Sequence, residues 1–183
     1  HAQRTLSDPD VVARIATWGN DQGLETLVVY PHGPLGIVST RAVDSAAALS
    51  GQRIRVAGPS PLQTVPFRTL GASPMSMPLG EVVPAIQNGV VEGAIAGLPV
   101  FTTGRYYDVA QDLTVLPESY LIVAAVASTA FLDQIGPERA EMVRQAAREA
   151  LVDANAWNLN AVNAVLGIWQ QNGGRVIDLS EAD

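Results

Sequence analysis

The sequence predicts an α/β fold with a sheet that is at least partly parallel, and three observations in one stretch predict it. From Ile54 to Gly97 the chain alternates short β-rich runs with short helical ones: Ile54-Arg55-Val56, a helical face at Leu62, Val65, Phe67 and Leu70, the run Met75-Ser76-Met77, a helix over Glu81 to Asn88, and the run Val90 to Ala96. The breaks carry turn chemistry, with Gly58-Pro59-Ser60-Pro61 ending the first strand and Gly71 and Gly89 just past the last apolar positions of the two helices. Successive strand–helix–strand units of this length pack as parallel strands flanked by helices. In such sheets a ligand sits beyond the carboxyl ends of the strands, which directs attention to Arg55 and the loop Ala57 to Pro61.

Taken in order, Asp8-Pro9 sets an N-cap and a proline at the first helical position. Val11, Val12, Ile15, Ala16 and Trp18 then recur at helical spacing, and Gly19 and Gly23 end the helix. Thr26 to Tyr30 reads as a β-branched strand, Pro31 to Gly36 as a loop with His32 in a surface turn, and Ile37 to Val43 as a separate strand-like piece. A short helix over Asp44 to Leu49 leads into the central stretch. After Gly97, Leu113 to Leu116 and Tyr120 to Ser128 read as two strands, the second holding the most apolar run of the chain. Gly136-Pro137-Glu138 opens a long helix; unbroken to Gln171 it would span about 50 Å. That length predicts a kink or a bridge between lobes, with an early end around Gly167 as the alternative. A coiled coil is second choice, because the face is alanine-rich and irregular. Gly173-Gly174 and Arg175 to Leu179 give a turn and a strand, and Ser180 to Asp183 reads as the start of a further helix.

Composition narrows the function. The 183 residues are 48% apolar, with a net charge of −7 and no cysteine. The size supports one sizeable core or two small lobes. The acidic balance argues against nucleic-acid binding and against attraction to an anionic membrane surface. Without cysteine there is no disulfide, thiolate metal site or cysteine nucleophile. The two histidines, His1 and His32, are not at metal-ligand spacing and join no nucleophile motif. No glycine-rich phosphate loop is present: Gly33-Pro34-Leu35-Gly36 is too short and too constrained by proline. Glu81 and Glu92 lie on separate elements and do not make a paired-carboxylate site. No apolar run is long enough to span a bilayer. No metal or cofactor is expected.

The central stretch resembles the solute-receptor subunit of tripartite ATP-independent periplasmic (TRAP) transporters, the DctP family. The resemblance is carried by Leu49-Ser50-Gly51-Gln52-Arg53-Ile54-Arg55-Val56, by Leu70-Gly71-Ala72-Ser73-Pro74-Met75-Ser76-Met77-Pro78-Leu79-Gly80-Glu81-Val82 and by Gln87-Asn88-Gly89-Val90-Val91-Glu92-Gly93. It implies a two-lobed fold of the type II periplasmic-binding-protein kind, with mixed or parallel sheets and a long connecting helix. Residues 1–32 would be a remnant of the N-terminal lobe, 33–120 the C-terminal ligand-binding lobe, 121–160 the return to the N-terminal lobe, and 161–183 the return to the C-terminal lobe. The chain would be the later part of a longer receptor.

The resemblance also implies a site. Arg55 matches the arginine that clamps a ligand carboxylate, a task that suits a planar, permanently charged group able to donate two parallel hydrogen bonds. On the residues alone a surface arginine on an edge strand is favoured, and the resemblance reverses that order. Ser60 is a donor to a ligand oxygen or, equally, the cap of the next helix. Leu79 matches an often aromatic position that packs on the ligand. Leu35 stands where the family often has an arginine, and Ala96 where some members have an asparagine. These two departures remove polar contacts seen in sialic-acid-type members and point to a ligand with one carboxylate and an apolar or aromatic body. Arg41 serves as well for a surface arginine as for a ligand contact, and Tyr106 and Tyr107 fit core packing better than ligand stacking. The implied function is an extracytoplasmic, periplasmic receptor that binds a small organic acid and passes it to membrane permease subunits, without catalysis and without inserting in the membrane. A ligand-sensing domain of similar fold, or an enzyme acting on a bound acid, are the alternatives.

Overall fold

The structure, a computed structural model, describes residues 8–179. Twelve helices and strands are present among them: α1 (Pro9–Ala16), β1 (Leu24–Ser39), β2 (Arg53–Val56), α2 (Pro61–Thr69), β3 (Ser73–Ser76), α3 (Val82–Gln87), β4 (Gly93–Gly97), α4 (Leu98–Thr103), β5 (Asp112–Ser128), α5 (Thr129–Ile135), α6 (Pro137–Gln171) and β6 (Arg175–Asp178). The predicted helix start at Ser180 lies outside the described residues. Backbone contacts divide the chain into two compact units, within the described residues 8–33 with 120–160, and 34–119 with 161–179.

Local chemistry explains the short units. The Asp8 carboxylate accepts from the Asp10 N–H at 2.9 Å and caps α1. Gly71 and Gly89 take φ of +76° and +67°, the left-handed conformation that stops a helix. At the end of α2 the Gly71 N–H donates to the Arg68 carbonyl at 3.0 Å and the Ala72 N–H to the Phe67 carbonyl at 2.9 Å. Phe67 and Ala72 then pack in the same apolar cluster. That is the paired-hydrogen-bond stop with its hydrophobic contact. α3 ends the same way, through Gly89 N–H to Ile86 and Val90 N–H to Ala85.

The sheet order is β3-β2-β4-β1-β5-β6. β2 runs parallel to both β3 and β4, and β1 runs antiparallel to β4 with Leu35 opposite Gly97 and Ser39 opposite Gly93. Two apolar layers cover the faces of the second unit. One holds Ile37, Val43, Leu49, Ile54, Val56, Phe67 and Ala72, and so receives α2. The other gathers Val38, Ala94, Val82, Ile86, Phe101, Tyr106, Leu113, Val165 and Trp169, bringing in α3, α4 and the end of α6. The chain leaves β2 across one face and returns to β4 across the other, which gives helices on both sides of a parallel core.

Several sequence expectations change. Pro31 to Gly36 is not a loop: β1 is continuous for 16 residues. Its two prolines precede the Leu35–Ser39 stretch paired with β4, so their missing N–H groups cost that ladder nothing. His32 therefore lies in a strand, half-buried, with a sealed Nδ1, rather than in a surface turn. The two strands expected on either side of Pro117 are likewise one, β5, and its ladder with β6 ends at Val115, before the proline. Asp44 to Leu49 forms no α-helix but a 3₁₀ turn over Ala46–Leu49. Val90 and Val91 lie outside β4, and Leu98–Thr103, left unassigned by the sequence, is helical. α6 is one helix of 35 residues, and Gly167 does not end it. On α2 the buried residues are Thr64 and Phe67, while Leu62 is 86% and Val65 52% exposed. Positions i and i+3 share a helix face, and the Thr64–Phe67 face is the one turned to the sheet.

In the first unit, Arg144 of α6 forms a two-pronged ion pair with Glu25 of β1, at 2.6 and 2.9 Å. The Asn158 amide donates to the Pro31 carbonyl at 3.2 Å. Ile15, Leu132 and Ala140 are buried there, whereas Trp18, Val126, Phe131, Val152 and Trp157 are exposed.

Candidate functional site

Arg55 lies in the middle of the parallel trio. Strand register sets it beside Met75 of β3 on one side and Ala94 of β4 on the other. β2 continues toward β3, at one edge of the sheet, while β4 continues toward β5 on the far side. The two chains diverge between β2 and β4, so the carboxyl ends of these strands border a topological switch point, where open α/β sheets take their ligands.

The electrostatics single out the same residue. Arg55 is 5% exposed, while its strand neighbours Ile54 and Val56 are fully buried on the other face. Its Nε donates to the Met77 carbonyl at 3.0 Å. That bond fixes the guanidinium plane and leaves its terminal edge, the two η nitrogens, without a hydrogen-bond partner among the described residues. Among the described residues Arg55 has no carboxylate partner, unlike Arg53, which pairs with Glu92, and Arg175, which grips Asp112 at 2.7 and 2.9 Å. Burial pulls the Arg55 guanidinium below its ordinary value, against an opposing influence from the Tyr106 phenol. A cation taken from water without a counter-ion is costly, and a bound anion removes that cost.

The structure brings some of the sequence-derived residues together and separates one. Ala96 lies two residues beyond Ala94 on β4, and alternation places it on the Arg55 face of the sheet. Leu79 occupies a 3₁₀ turn two residues past Met77 and is 46% exposed. Ser60 is exposed at the N-cap of α2, where its hydroxyl makes no cap hydrogen bond. Its carbonyl takes the Gln63 and Thr64 N–H groups, and the Gln63 side chain ties down the loop by accepting from Gly58 N–H at 2.8 Å. Leu35 stands opposite Gly97, in the same alternation as Ile37 and Ile95, and therefore on the reverse face from Arg55. Arg41 is exposed beyond the end of β1 and donates to the Ser50 carbonyl at 3.0 Å.

Sequence reasoning missed three neighbours of Arg55. Met75 and Ala94 follow from the strand register, which no local pattern displays. Met77 contributes a backbone carbonyl, for which the side-chain sequence holds no signal. Among the described residues no group of histidine, cysteine, aspartate or glutamate side chains is placed to hold a metal, and no helix is long and apolar enough to cross a membrane.

A buried arginine with no carboxylate partner among the described residues thus lies at the switch point of the parallel trio, and comparison with known proteins places the chain in a family. The profile of the bacterial extracellular solute-binding proteins of family 7, DctP, matches residues 1–183, and the chain belongs to this family. It is 27% identical over 130 residues to the ectoine-binding periplasmic protein TeaA of Halomonas elongata, covering 71% of this chain and 38% of that protein. It is 26% identical over 151 residues to the 2,3-diketo-L-gulonate-binding periplasmic protein YiaO of Escherichia coli, covering 82% and 45%. Among solved structures, a TRAP periplasmic solute-binding protein of Xanthobacter autotrophicus with bound β-D-galacturonate superposes with a TM-score of 0.90 at 24% identity, over 100% of this chain and 60% of that one. One from Desulfovibrio salexigens with bound orotic acid gives 0.86 at 22%, over 100% and 58%. The fold is therefore that of TRAP periplasmic binding proteins, and the chain spans less than half the length of these two curated relatives.

Proposed function

We propose that this chain is part of a periplasmic TRAP receptor that binds a small organic acid by its carboxylate and hands it to membrane permease subunits, with no bond made or broken. Arg55 is the clamp. Its terminal nitrogens take the carboxylate end-on, while Met77 holds its Nε. Ala96 gives a small apolar wall, Leu79 an apolar surface for the ligand body, and Ser60 a hydroxyl at the mouth. Leu35 lies on the reverse face of the sheet from Arg55 and gives the ligand no polar contact. The ligand carries one carboxylate on an apolar or aromatic body. Residues 33–120 and 161–183 form the ligand-binding lobe, with 1–32 and 121–160 belonging to the N-terminal lobe.

The observation that carries this reading is the burial of the Arg55 guanidinium with no carboxylate partner among the described residues. The named ligands of the relatives, ectoine, 2,3-diketo-L-gulonate, β-D-galacturonate and orotic acid, all bear a carboxyl group and support the carboxylate clamp. The test is a thermal-shift screen of the full-length protein against organic acids, with sugars and neutral amino-acid amides as controls. At a concentration of 100 times its dissociation constant a ligand stabilises by about 2.7 kcal/mol. Carboxylates should raise the melting temperature of the wild type and leave Arg55→Ala unmoved. Shifts produced by neutral compounds alone, or retained in full by Arg55→Ala, would remove Arg55 from the site.

A further inference from the structure

Tyr106 packs in the apolar layer on the Arg55 face of the sheet. It opens the 3₁₀ turn Tyr106–Asp108, and five contacts hold that turn. The Tyr106 ring meets Phe101 edge-on, with centroids 5.3 Å apart. It lies so close to Gly104 that a β-carbon there would come within 2.6 Å of the ring. Arg105 pairs with Asp108 at 3.0 Å and stands 5.7 Å over the Tyr107 ring. Tyr107 in turn packs edge-on against Trp169. Arg105 has φ of +51°, alone in that region among the described residues other than glycine. A bulky residue held in the left-handed conformation costs free energy, and such strain persists where the surroundings fix a side chain in place.

Tyr106 and Arg55 share neighbours. Tyr106 belongs to the apolar layer that contains Ala94 and against which Met75 and Met77 pack. Arg55 is beside Ala94 and Met75 in register and bonds to Met77. Burial raises the Tyr106 phenol, and the Arg55 guanidinium opposes that rise. The side chain as a whole is 2% exposed, yet its hydroxyl bonds to nothing among the described residues. Among the described residues the sealed, unpartnered polar atoms are His32 Nδ1, Ser39 Oγ, Gln52 Oε1 and Asn158 Oδ1, and the Tyr106 oxygen is not one of them. It therefore keeps a path to open space. A buried tyrosine normally satisfies its hydroxyl, and here a ligand can do so.

We propose that Tyr106 is the second polar contact of the ligand carboxylate: its O–H donates to an oxygen of the group whose other edge the Arg55 guanidinium holds. This rests on the receptor reading above and deepens it. Two donors from separate elements, one charged and one neutral, fix the orientation of the carboxylate as well as its charge. They also account for a carboxylate-selective site in which Ala96 and Leu79 offer no polar group.

The test uses the full-length protein and whichever of orotate, phenylacetate and D-galacturonate the wild type binds most tightly. Tyr106→Phe keeps the ring and removes the hydroxyl. Titration calorimetry should show its affinity for the acid falling about 10-fold or more, the loss expected for a hydrogen bond to a charged group. The ligand-free melting temperature should stay within a degree or two, and affinity for the primary amide of the same acid should change by less than about threefold. Arg55→Ala is the companion arm. If it loses the acid while Tyr106→Phe binds within twofold of wild type, the Tyr106 assignment is overturned and the receptor reading stands. If Arg55→Ala keeps full affinity, the receptor reading falls and the assignment falls with it.

Discussion

Replacing Arg55 by methionine should make the ligand-free protein more stable and abolish carboxylate binding. Methionine matches the arginine stem in length and adaptability but carries no charge. The substitution removes one hydrogen bond, from Nε to the Met77 carbonyl, and a bond from a charged donor is worth about 1.5–3 kcal/mol. Against this stands the desolvation of a guanidinium that is 5% exposed, a penalty of several kcal/mol per buried ion when no opposite charge repays it. The difference favours methionine by about 1–2 kcal/mol, or roughly 2–8 °C in melting temperature for a protein of this size. The same variant should lose the whole ligand-induced shift. The assay is a melting curve of wild type and Arg55→Met, each with and without a saturating carboxylate. An Arg55→Met protein that melts below wild type when empty, and still gains the full shift with ligand, refutes both the stored electrostatic cost and the clamp. The expected result is the trade between stability and function found where a binding site keeps an unsatisfied charge.

Two further predictions test the frame around the site. Glu92 receives the Arg53 backbone N–H at 2.6 Å and pairs with its guanidinium. Burial works to raise this carboxyl, but the hydrogen bonds from Arg53 prevail and hold it below its ordinary value of 4.5. A depressed carboxyl contributes stability at neutral pH that is lost as pH falls through its folded value. Glu92→Gln should thus cost about 1 kcal/mol at pH 7, and urea titrations should show the gap closing below about pH 4; a gap unchanged from pH 7 to pH 3 would contradict this. Gly93→Ala should cost about 2–3 kcal/mol, because its β-carbon would press on the Val38 carbonyl and come within 3.1 Å of Ser39 Cβ in the ladder between β1 and β4. A loss under 0.5 kcal/mol on chemical denaturation would show that the ladder yields more readily than a packed sheet should.

The sequence by itself determined what is local. Gly71 and Gly89 stop their helices because a left-handed residue is needed there, Asp8 caps α1, and Pro137 opens α6. Such interactions span a few residues, so their signals sit side by side in the chain. The alternation of these short units was enough to give a sheet with parallel strands, and the motif around Arg55 was enough to give the family.

Tertiary structure decided what depends on pairing at a distance. Pro31, Pro34 and Pro117 look like strand breakers, yet β1 and β5 run through them, since a proline costs a ladder only where its N–H would have been used. Leu35 and Ala96 look equivalent as departures from the family pattern. One step of register puts them on opposite faces, because strand side chains alternate with a period of two. The isolation of Arg55 among neighbours that neutralise no charge, and the approach of Tyr106 from a turn about 50 residues away, arise when β2, β4 and the segment after α4 are folded onto one sheet face. Burial and counter-charge are properties of that assembly, and no stretch of sequence holds them.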